Sequence, residues 1–227
     1  MTVPPPDYHG HRARLRERLI ETGGEGMPDY ELIEYLLSLV TPRKDTKPLA
    51  KELLKEFGGI GGLLAAGPEA LMHVKGMGET SIAALKIVQA TALRLLRNDL
   101  DERPVLSNWQ AVLDYLRAEM AHHPIERVRV LHLNSRNMLI RDELVSEGTI
   151  AEAAVHVREI IKRAIHFGSA AIILVHNHPS GDPQPSRADI DLTRKTIDAA
   201  KQFDIAVHDH VVIGTKGHAS LRAMGLM

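Results

Sequence analysis

The segment 176–189, HNHPSGDPQPSRAD, decides the fold prediction because it joins a buried strand to a helix. It follows an apolar run, 169–175 (SAAIILV), which has the length and composition of a fully buried strand. Residues two apart on an extended chain face the same side, so His176 and His178 project together from the strand end. A loop rich in Pro and Gly then leads to Ser186, which opens a helix, and Asp189 lies in the first helical turn.

The two histidines and the aspartate of this segment form a ligand set for Zn²⁺. Two imidazoles and a carboxylate can bind zinc tetrahedrally and leave the fourth position to water. Water on zinc has a pKa of about 7 rather than about 15.7, so hydroxide becomes available at neutral pH. The alternative is structural, because Ser186-x-x-Asp189 is close to a capping box that needs no metal. A strand end, a loop and a helix start that converge on one point favour the metal site.

The sequence around this segment predicts a mixed α/β domain over residues 108–227. Helical periodicity and strand alternation both occur there, and the first two strands have the pattern of a hairpin. The predicted helices are 108–120, 155–167 and 187–203, and the predicted strands are 127–133, 138–146, 169–175 and 205–213. Strands and helices mixed within about 120 residues predict a mixed sheet flanked by helices.

The first part of the chain, residues 1–98, predicts an all-α domain, and the polar segment 99–107 is the expected linker. Within the helical domain, Lys75-Gly76-Met77-Gly78 lies between two predicted helices. Such a glycine hairpin allows backbone N–H groups at a helix start to approach a phosphate. Lys75, Gly76 and Gly78 are therefore candidate contacts for a DNA backbone.

The charge of the helical domain argues against tight DNA binding. Residues 1–100 contain 13 Lys and Arg against 13 Asp and Glu, whereas phosphate binding favours an excess of cations. Glu79 also places a negative charge next to the glycine hairpin. A tight turn between two packed helices is the structural alternative for these glycines.

The overall composition excludes several classes of protein. The chain of 227 residues has 28 basic and 29 acidic side chains, a net charge of -1 and no cysteine. Disulfides, thiol nucleophiles and thiolate zinc sites are thereby excluded, including the Pro-Cys-x-x-Cys site of nucleobase deaminases. No apolar run approaches the roughly 18–20 residues of a membrane span, and the N-terminus lacks the pattern of a secretion signal. We expect a cytoplasmic protein without membrane contact.

The spacing His-x-His, seven residues, then Ser-x-x-Asp resembles the motif of JAMM (MPN-type) metalloproteases. The longer run 176–189, with Leu192-Thr193 and Asp209-His210 after it, resembles the RadC family, also called UPF0758. RLRERL, ELIEYLL, FGGIGGLL and KGMG resemble the N-terminal domain of that family, so the resemblance covers nearly the whole chain. It implies a helix-hairpin-helix-like domain followed by a JAMM/MPN domain, whose fold is cytidine-deaminase-like.

The resemblance also implies roles for individual residues. One zinc ion per chain would be held by His176, His178 and Asp189. Ser186 would hydrogen-bond the tetrahedral intermediate formed at the scissile carbonyl.

A JAMM site further needs a glutamate on an upstream strand, which passes a proton from water to the leaving amine. The candidates in this sequence are Asp142, Glu143 and Glu147. The family has an acidic residue some residues before a Gly-Thr, here 148–149, and Glu143 fits that pattern best. The structural alternative for Glu143 is an exposed hairpin carboxylate.

The function expected from these features is a zinc-dependent hydrolase of JAMM type, a metallopeptidase or isopeptidase that uses metal-activated water. The alternative is a DNA-binding or DNA-repair-associated accessory protein with a structural or inactive metal site. His208 and His210 alternate on the last predicted strand, where they either orient a ligand or are satisfied core histidines. The sequence identifies neither the peptide or isopeptide substrate nor the oligomeric state.

Overall fold

The computed structural model describes residues 8–42, 44–101, 103–148 and 157–227. The helices are α1 (Tyr8–Thr22), α2 (Asp29–Val40), α3 (Lys47–Glu56), α4 (Ile60–Ala65), α5 (Pro68–Met72), α6 (Glu79–Asp101), α7 (Trp109–Met120), α8 (Val157–His166) and α9 (Arg187–Lys201). The strands are β1 (Arg127–Leu133), β2 (Leu139–Glu147), β3 (Ala171–Asn177), β4 (Ala206–Gly214) and β5 (Gly217–Ser220), and a short 3₁₀ helix at Val105–Asn108 precedes α7.

Two compact units divide the chain within α6, one ending at Thr91 and the other beginning at Ala92. Helix α6 continues four residues beyond the predicted end at Arg97 and so extends into the predicted linker. The domain limits at 98 and 108 stay a prediction. Within the described residues, none of the helices combines the length and the apolar character that a membrane span requires.

The first unit is helical, as predicted. Its helices bury one apolar core, formed by Ile33, Leu37, Ala50, Leu53, Leu63, Leu71, Ile82 and Leu85. The glycine hairpin makes the turn between α5 and α6, and Gly76 has a φ of +100°, in the left-handed region that glycine adopts without strain. Lys75 is exposed beside this turn, and Glu79 opens α6.

In the described part of the second unit, five strands form one mixed sheet in the order β2-β1-β3-β4-β5. Strand β1 is antiparallel to β2 and β3, β3 is parallel to β4, and β4 is antiparallel to β5. The predicted hairpin is confirmed: its turn is fixed by Asn134, whose Oδ1 accepts the backbone N–H groups of Arg136 and Met138 at 2.9 and 3.0 Å. Strand β3 is buried along its whole length, as its apolar run predicts.

Helices cover both faces of this sheet, which confirms the predicted α/β architecture. Helix α7 has apolar residues three to four apart, which places them on one stripe against the sheet. That core contains Val112, Leu116, Met120, Leu131, Leu133, Ile173, Val175, Val211 and Ile213. Helices α8 and α9 cover the opposite face, where the core contains Val130, Ile160, Ile161, Ala164, Ile172, Leu174, Ala200 and Val207.

A register shift in β4 decides which face its residues occupy. Ile172 of β3 pairs with Val207, but Ile173 pairs with Asp209, so His208 is an extra residue in the ladder. His210 therefore pairs with Leu174 and lies on the face of the sheet that α8 and α9 cover. The simple alternation predicted for residues 205–213 is wrong at His208, because an inserted residue breaks the period of two.

Candidate metal centre

The end of β3 presents two imidazoles to one point. His176 is completely buried within the strand, and His178 follows it on the same side. Their Nε2 atoms are 3.0 Å apart. Two nitrogens bound tetrahedrally to one Zn²⁺ at about 2.0–2.1 Å lie about 3.3 Å from each other, so this spacing suits a shared cation.

The ring of His178 is oriented by the loop that follows it. Its Nδ1 lies 2.8 Å from the carbonyl oxygen of Asp182, to which an Nδ1–H donates, so that Nε2 keeps its lone pair. The loop turns at Gly181, whose φ is +80°, and a Cβ there would lie only 2.3 Å from Oγ1 of Thr215. Glycine is therefore required where the chain turns back beside β4.

The ring of His176 is oriented by a buried chain of hydrogen bonds. Its Nδ1 lies 2.8 Å from Nε2 of His210, and Nδ1 of His210 lies 2.6 Å from Oγ1 of Thr193. The Thr193 hydroxyl donates to the carbonyl oxygen of Asp189 at 2.5 Å. If Nε2 of His176 carries a lone pair, then Nδ1–H of His176 donates to Nε2 of His210, and Nδ1–H of His210 donates to Oγ1 of Thr193. Each acceptor in this series of hydrogen bonds then receives one hydrogen. For His208 and His210 the sequence left a ligand-orienting role and a core role open. Only His210 contacts one of the candidate ligands, His176, whereas His208 bonds Asn137 at 2.7 Å.

The carboxylate of Asp189 is oriented by the cap of α9. Ser186 and Asp189 form the predicted capping box: Ser186 Oγ accepts the Asp189 N–H at 3.2 Å, and Asp189 Oδ2 accepts the Ser186 N–H at 2.6 Å. Oδ1 remains buried without a hydrogen-bond partner, 3.3 Å from Nε2 of His176. The capping box and the ligand position are therefore compatible, because each uses a different oxygen.

Glu126, which the sequence analysis missed, joins these three residues. One ligand atom from each of Glu126, His176, His178 and Asp189 lies within 4.8 Å of the others, and we call this group the metal cluster. Val128 of β1 pairs with His176, so residue 126 continues the same row toward His178. Oε1 of Glu126 is buried without a hydrogen-bond partner.

The predicted base, Glu143, is not part of the metal cluster. Glu143 lies on β2 and pairs with Val130 of β1. Val130 is two residues along β1 from Val128, the residue that pairs with His176. Its carboxylate forms an ion pair with Arg163 of α8, and its Oε2 lies 3.5 Å from Nε2 of His132. Glu143 is therefore neutralised by its neighbours on the α8 side of the sheet.

The other two candidate bases are also held elsewhere. Asp142 lies on the α7 face of the sheet, where Arg129 donates to it at 2.8 Å and the Tyr115 hydroxyl at 2.5 Å. Glu147 lies 3.3 Å from Arg127 at the end of the hairpin. The structure brings none of these three residues, which we call the β2 acids, to the metal cluster. Thr149 of the Gly-Thr pair lies outside the described residues.

The electrostatics of the metal cluster favour an ionised Asp189 carboxylate. Burial acts to raise the pKa of Asp189, but the neighbouring imidazoles of His176 and His178 outweigh it and hold the pKa well below its usual range. The Asp189 carboxylate in turn raises the pKa of His178, and complete burial lowers the pKa of His210 behind the cluster. Among the described residues, no Lys or Arg forms an ion pair with Glu126 or Asp189.

These observations fit a divalent metal ion. Two imidazole nitrogens and carboxylate oxygens are the ligands that Zn²⁺ and its first-row neighbours accept. Two of the carboxylate oxygens are buried and without hydrogen bonds, a costly arrangement that a bound cation would relieve. The Nδ1 partners of both histidines also match the outer contacts that usually orient metal-binding imidazoles.

Comparisons with known proteins agree with the motif. Residues 106–226 match the RadC-like JAB domain, and residues 10–83 match the UPF0758 N-terminal family. A UPF0758 protein from Rhodobacter capsulatus is 51% identical over 213 residues, which cover 94% of this chain and 100% of that protein. The chain belongs to the UPF0758 family and carries its RadC-like JAB domain.

Proposed function

We propose that the protein is a zinc-dependent hydrolase of JAMM type that cleaves amide or isopeptide bonds. The observation that carries this proposal is the convergence of four ligand groups, two of them carboxylates with a buried, unbonded oxygen. Membership of a family with a RadC-like JAB domain supports the same reaction class.

His176, His178 and Asp189 would hold the zinc ion, one per chain. A bound zinc ion supplies Lewis acidity, which polarises a carbonyl and lowers the pKa of water. In this proposal Glu126, rather than Glu143, would accept a proton from the attacking water, because it lies within 4.8 Å of the other groups of the metal cluster. As the carbon–oxygen bond forms and the carbon–nitrogen bond breaks, Glu126 returns that proton to the leaving nitrogen.

In this proposal Ser186 would donate a hydrogen bond to the developing oxyanion. It is exposed at the start of α9, and its Oγ accepts the Asp189 N–H, so the hydroxyl hydrogen remains to donate. Ser186→Ala should keep zinc and slow hydrolysis by about 10²–10³. Ser186→Gly is the matched variant, because glycine replaces serine at an N-cap at a cost of only a few tenths of a kcal/mol. Equal slowing in both variants would assign the effect to the hydroxyl rather than to the cap.

The experiment that tests the proposal measures metal content and hydrolysis together. Elemental analysis of untagged protein should find about one zinc per chain. The zinc-loaded protein is then incubated with pools of linear peptides and of peptides joined through a lysine ε-amino group, and the products are identified by mass spectrometry. Glu126→Gln should keep zinc and lose turnover, whereas Glu143→Gln should keep both.

Two outcomes would contradict the proposal. A chain that binds no metal, even after zinc is supplied and the excess removed, would leave the capping box as the sole role of Ser186 and Asp189. Normal turnover in Glu126→Gln with loss of turnover in Glu143→Gln would return the role of base to Glu143.

A DNA-binding accessory role is the second candidate, favoured by the exposed Lys75 and Gly76 at the turn before α6. The acidic Glu79 in the first turn of α6 opposes this role, because its charge would repel a phosphate. Arg18 of α1 also argues against it, because its charge is paired with Glu31 at 2.7 Å. Binding to a DNA duplex that weakens steeply as salt rises would support this role, because released counterions drive such binding.

A further inference from the structure

The residue between the two histidines, Asn177, is completely buried and faces the opposite side of the sheet from them. Its side chain makes three hydrogen bonds to one loop. Oδ1 accepts the backbone N–H of Arg127 at 2.8 Å, and Nδ2 donates to the carbonyl oxygens of His123 and Ile125 at 3.3 and 3.2 Å. Glu126 lies between two of these anchored residues.

The position of Asn177 at the end of β3 explains why its side chain, rather than the backbone, makes these three hydrogen bonds. The β1–β3 ladder ends where Val128 pairs with His176, so the next residue of β1 receives no backbone partner from β3 within that ladder. Here the Asn177 side chain replaces the missing backbone partner, because its Oδ1 accepts the Arg127 N–H where the loop joins β1. The carbonyl of Glu126 itself accepts the Gly148 N–H at 2.9 Å, which fixes the same peptide from the β2 side.

We infer that Asn177 is a positioning residue, which sets the place of the Glu126 carboxylate in the metal cluster through the backbone of residues 123–127. An amide suits this task because it offers one acceptor and two N–H donors, which match the three partners. An aspartate would keep the bond from Arg127 but would direct lone pairs at two carbonyl oxygens. The inference rests on the proposed function, since it assumes that the metal cluster binds zinc.

The test measures zinc affinity by competition with a chelator, for the wild type, Asn177→Asp, Asn177→Ala and Glu126→Ala. Glu126 is not among the residues proposed to hold zinc, but its carboxylate lies within 4.8 Å of their ligand atoms as an outer contact of the site. Loss of such a contact typically costs about 10–100-fold in affinity, and we expect that range for both Asn177 variants. Glu126→Ala should also bind zinc more weakly. The double variant Glu126→Ala/Asn177→Ala should bind as Glu126→Ala alone, because Asn177 then has no carboxylate to position.

Asn134→Ala is the matched control. Asn134 also accepts two backbone N–H groups through Oδ1, but it does so at the other end of β1, in the hairpin turn. Its zinc affinity should equal that of the wild type even where its Tm falls as far as that of Asn177→Ala. A purely structural role of Asn177 would instead give additive losses in the double variant.

Amide hydrogen exchange provides a second measurement that does not depend on a variant folding. In the wild type, the Arg127 N–H should exchange slowly, and in Asn177→Asp or Asn177→Ala the peptide 123–127 should exchange faster. Fast exchange of the Arg127 N–H in the wild type would overturn the inference, as would wild-type zinc affinity in the Asn177 variants beside weakened binding in Glu126→Ala. A wild type that binds no zinc would instead refute the proposed function on which the inference rests.

Discussion

Two sets of carboxylates on the same sheet differ in the cation that neutralises them. Each of the β2 acids has an arginine from this chain: Asp142 has Arg129, Glu143 has Arg163 and Glu147 has Arg127. In the metal cluster, the Asp189 carboxylate contacts two imidazoles and Glu126 lies within 4.8 Å of them, and no Lys or Arg pairs with either carboxylate in the described ranges. The chain thus supplies an arginine to each carboxylate of one set and to neither carboxylate of the other.

The comparison shows why residue type alone does not distinguish the two sets of carboxylates. His132 and Glu143 approach within 3.5 Å, and His176 and Asp189 within 3.3 Å, so both sets contain a histidine beside a carboxylate. What separates them is the third partner, Arg163 in one and a second imidazole in the other. Arginine supplies the counter-charge of Glu143 within the chain, whereas a carboxylate beside two imidazoles has the composition of a metal-ligand set.

The largest expected effect is a difference in zinc content between variants of the two sets of carboxylates. Asp189→Ala should reduce the zinc content from about one per chain to near zero, because it removes a ligand and leaves two imidazoles. Glu143→Gln, the control from the β2 acids, should keep full zinc content. Both contents are measured by elemental analysis after dialysis. Loss of zinc in Glu143→Gln alone would mean that the two sets had been assigned the wrong roles.

The next effect concerns stability rather than metal. Asp142→Ala should lower the free energy of unfolding by roughly 1–3 kcal/mol, because it leaves Nε and Nη2 of Arg129 and the Tyr115 hydroxyl without their shared acceptor, while Nη1 of Arg129 still pairs with Glu119. Glu147→Ala, on the same strand but with its carboxylate exposed, should change it by less than about 1 kcal/mol. Denaturant unfolding measures both values. Zinc content should be unchanged in the two variants, and equal destabilisation would contradict the assigned burial.

The smallest effect is a pH dependence of stability at His132. Burial lowers the pKa of His132, and the attraction of Glu143 offsets only part of that. The unfolded chain therefore binds more protons than the folded one below about pH 6.5, and stability falls as the pH falls. His132→Gln removes this contribution. Between pH 7 and pH 5 its Tm should fall less than that of the wild type in thermal scans. Parallel curves for the two proteins would contradict the lowered pKa.

The sequence predicted those parts of the structure that depend on neighbouring residues. The hairpin, the buried strand β3 and the positions of His176, His178 and Asp189 all follow from local periodicity and spacing. Glu126 and Asn177 did not, because their roles depend on β1 pairing beside β3, some 50 residues away in the chain. Register between distant strands is not encoded in a local pattern, so the proximity of Glu126 to the two histidines became visible only once the sheet was known.

The bulge at His208 decides which side chain of β4 stands beside His176. If His208 paired with Ile173 in regular register, Asp209 would lie opposite Leu174 and His210 would turn toward the α7 core. A carboxylate would then stand beside Nδ1 of His176, and an imidazole would replace the carboxylate that now accepts the Ser220 hydroxyl. Deletion of His208 removes the bulge but keeps Asp209 opposite Ile173 and His210 opposite Leu174. The two side chains exchange faces only if the bulge closes while His208 stays in the ladder.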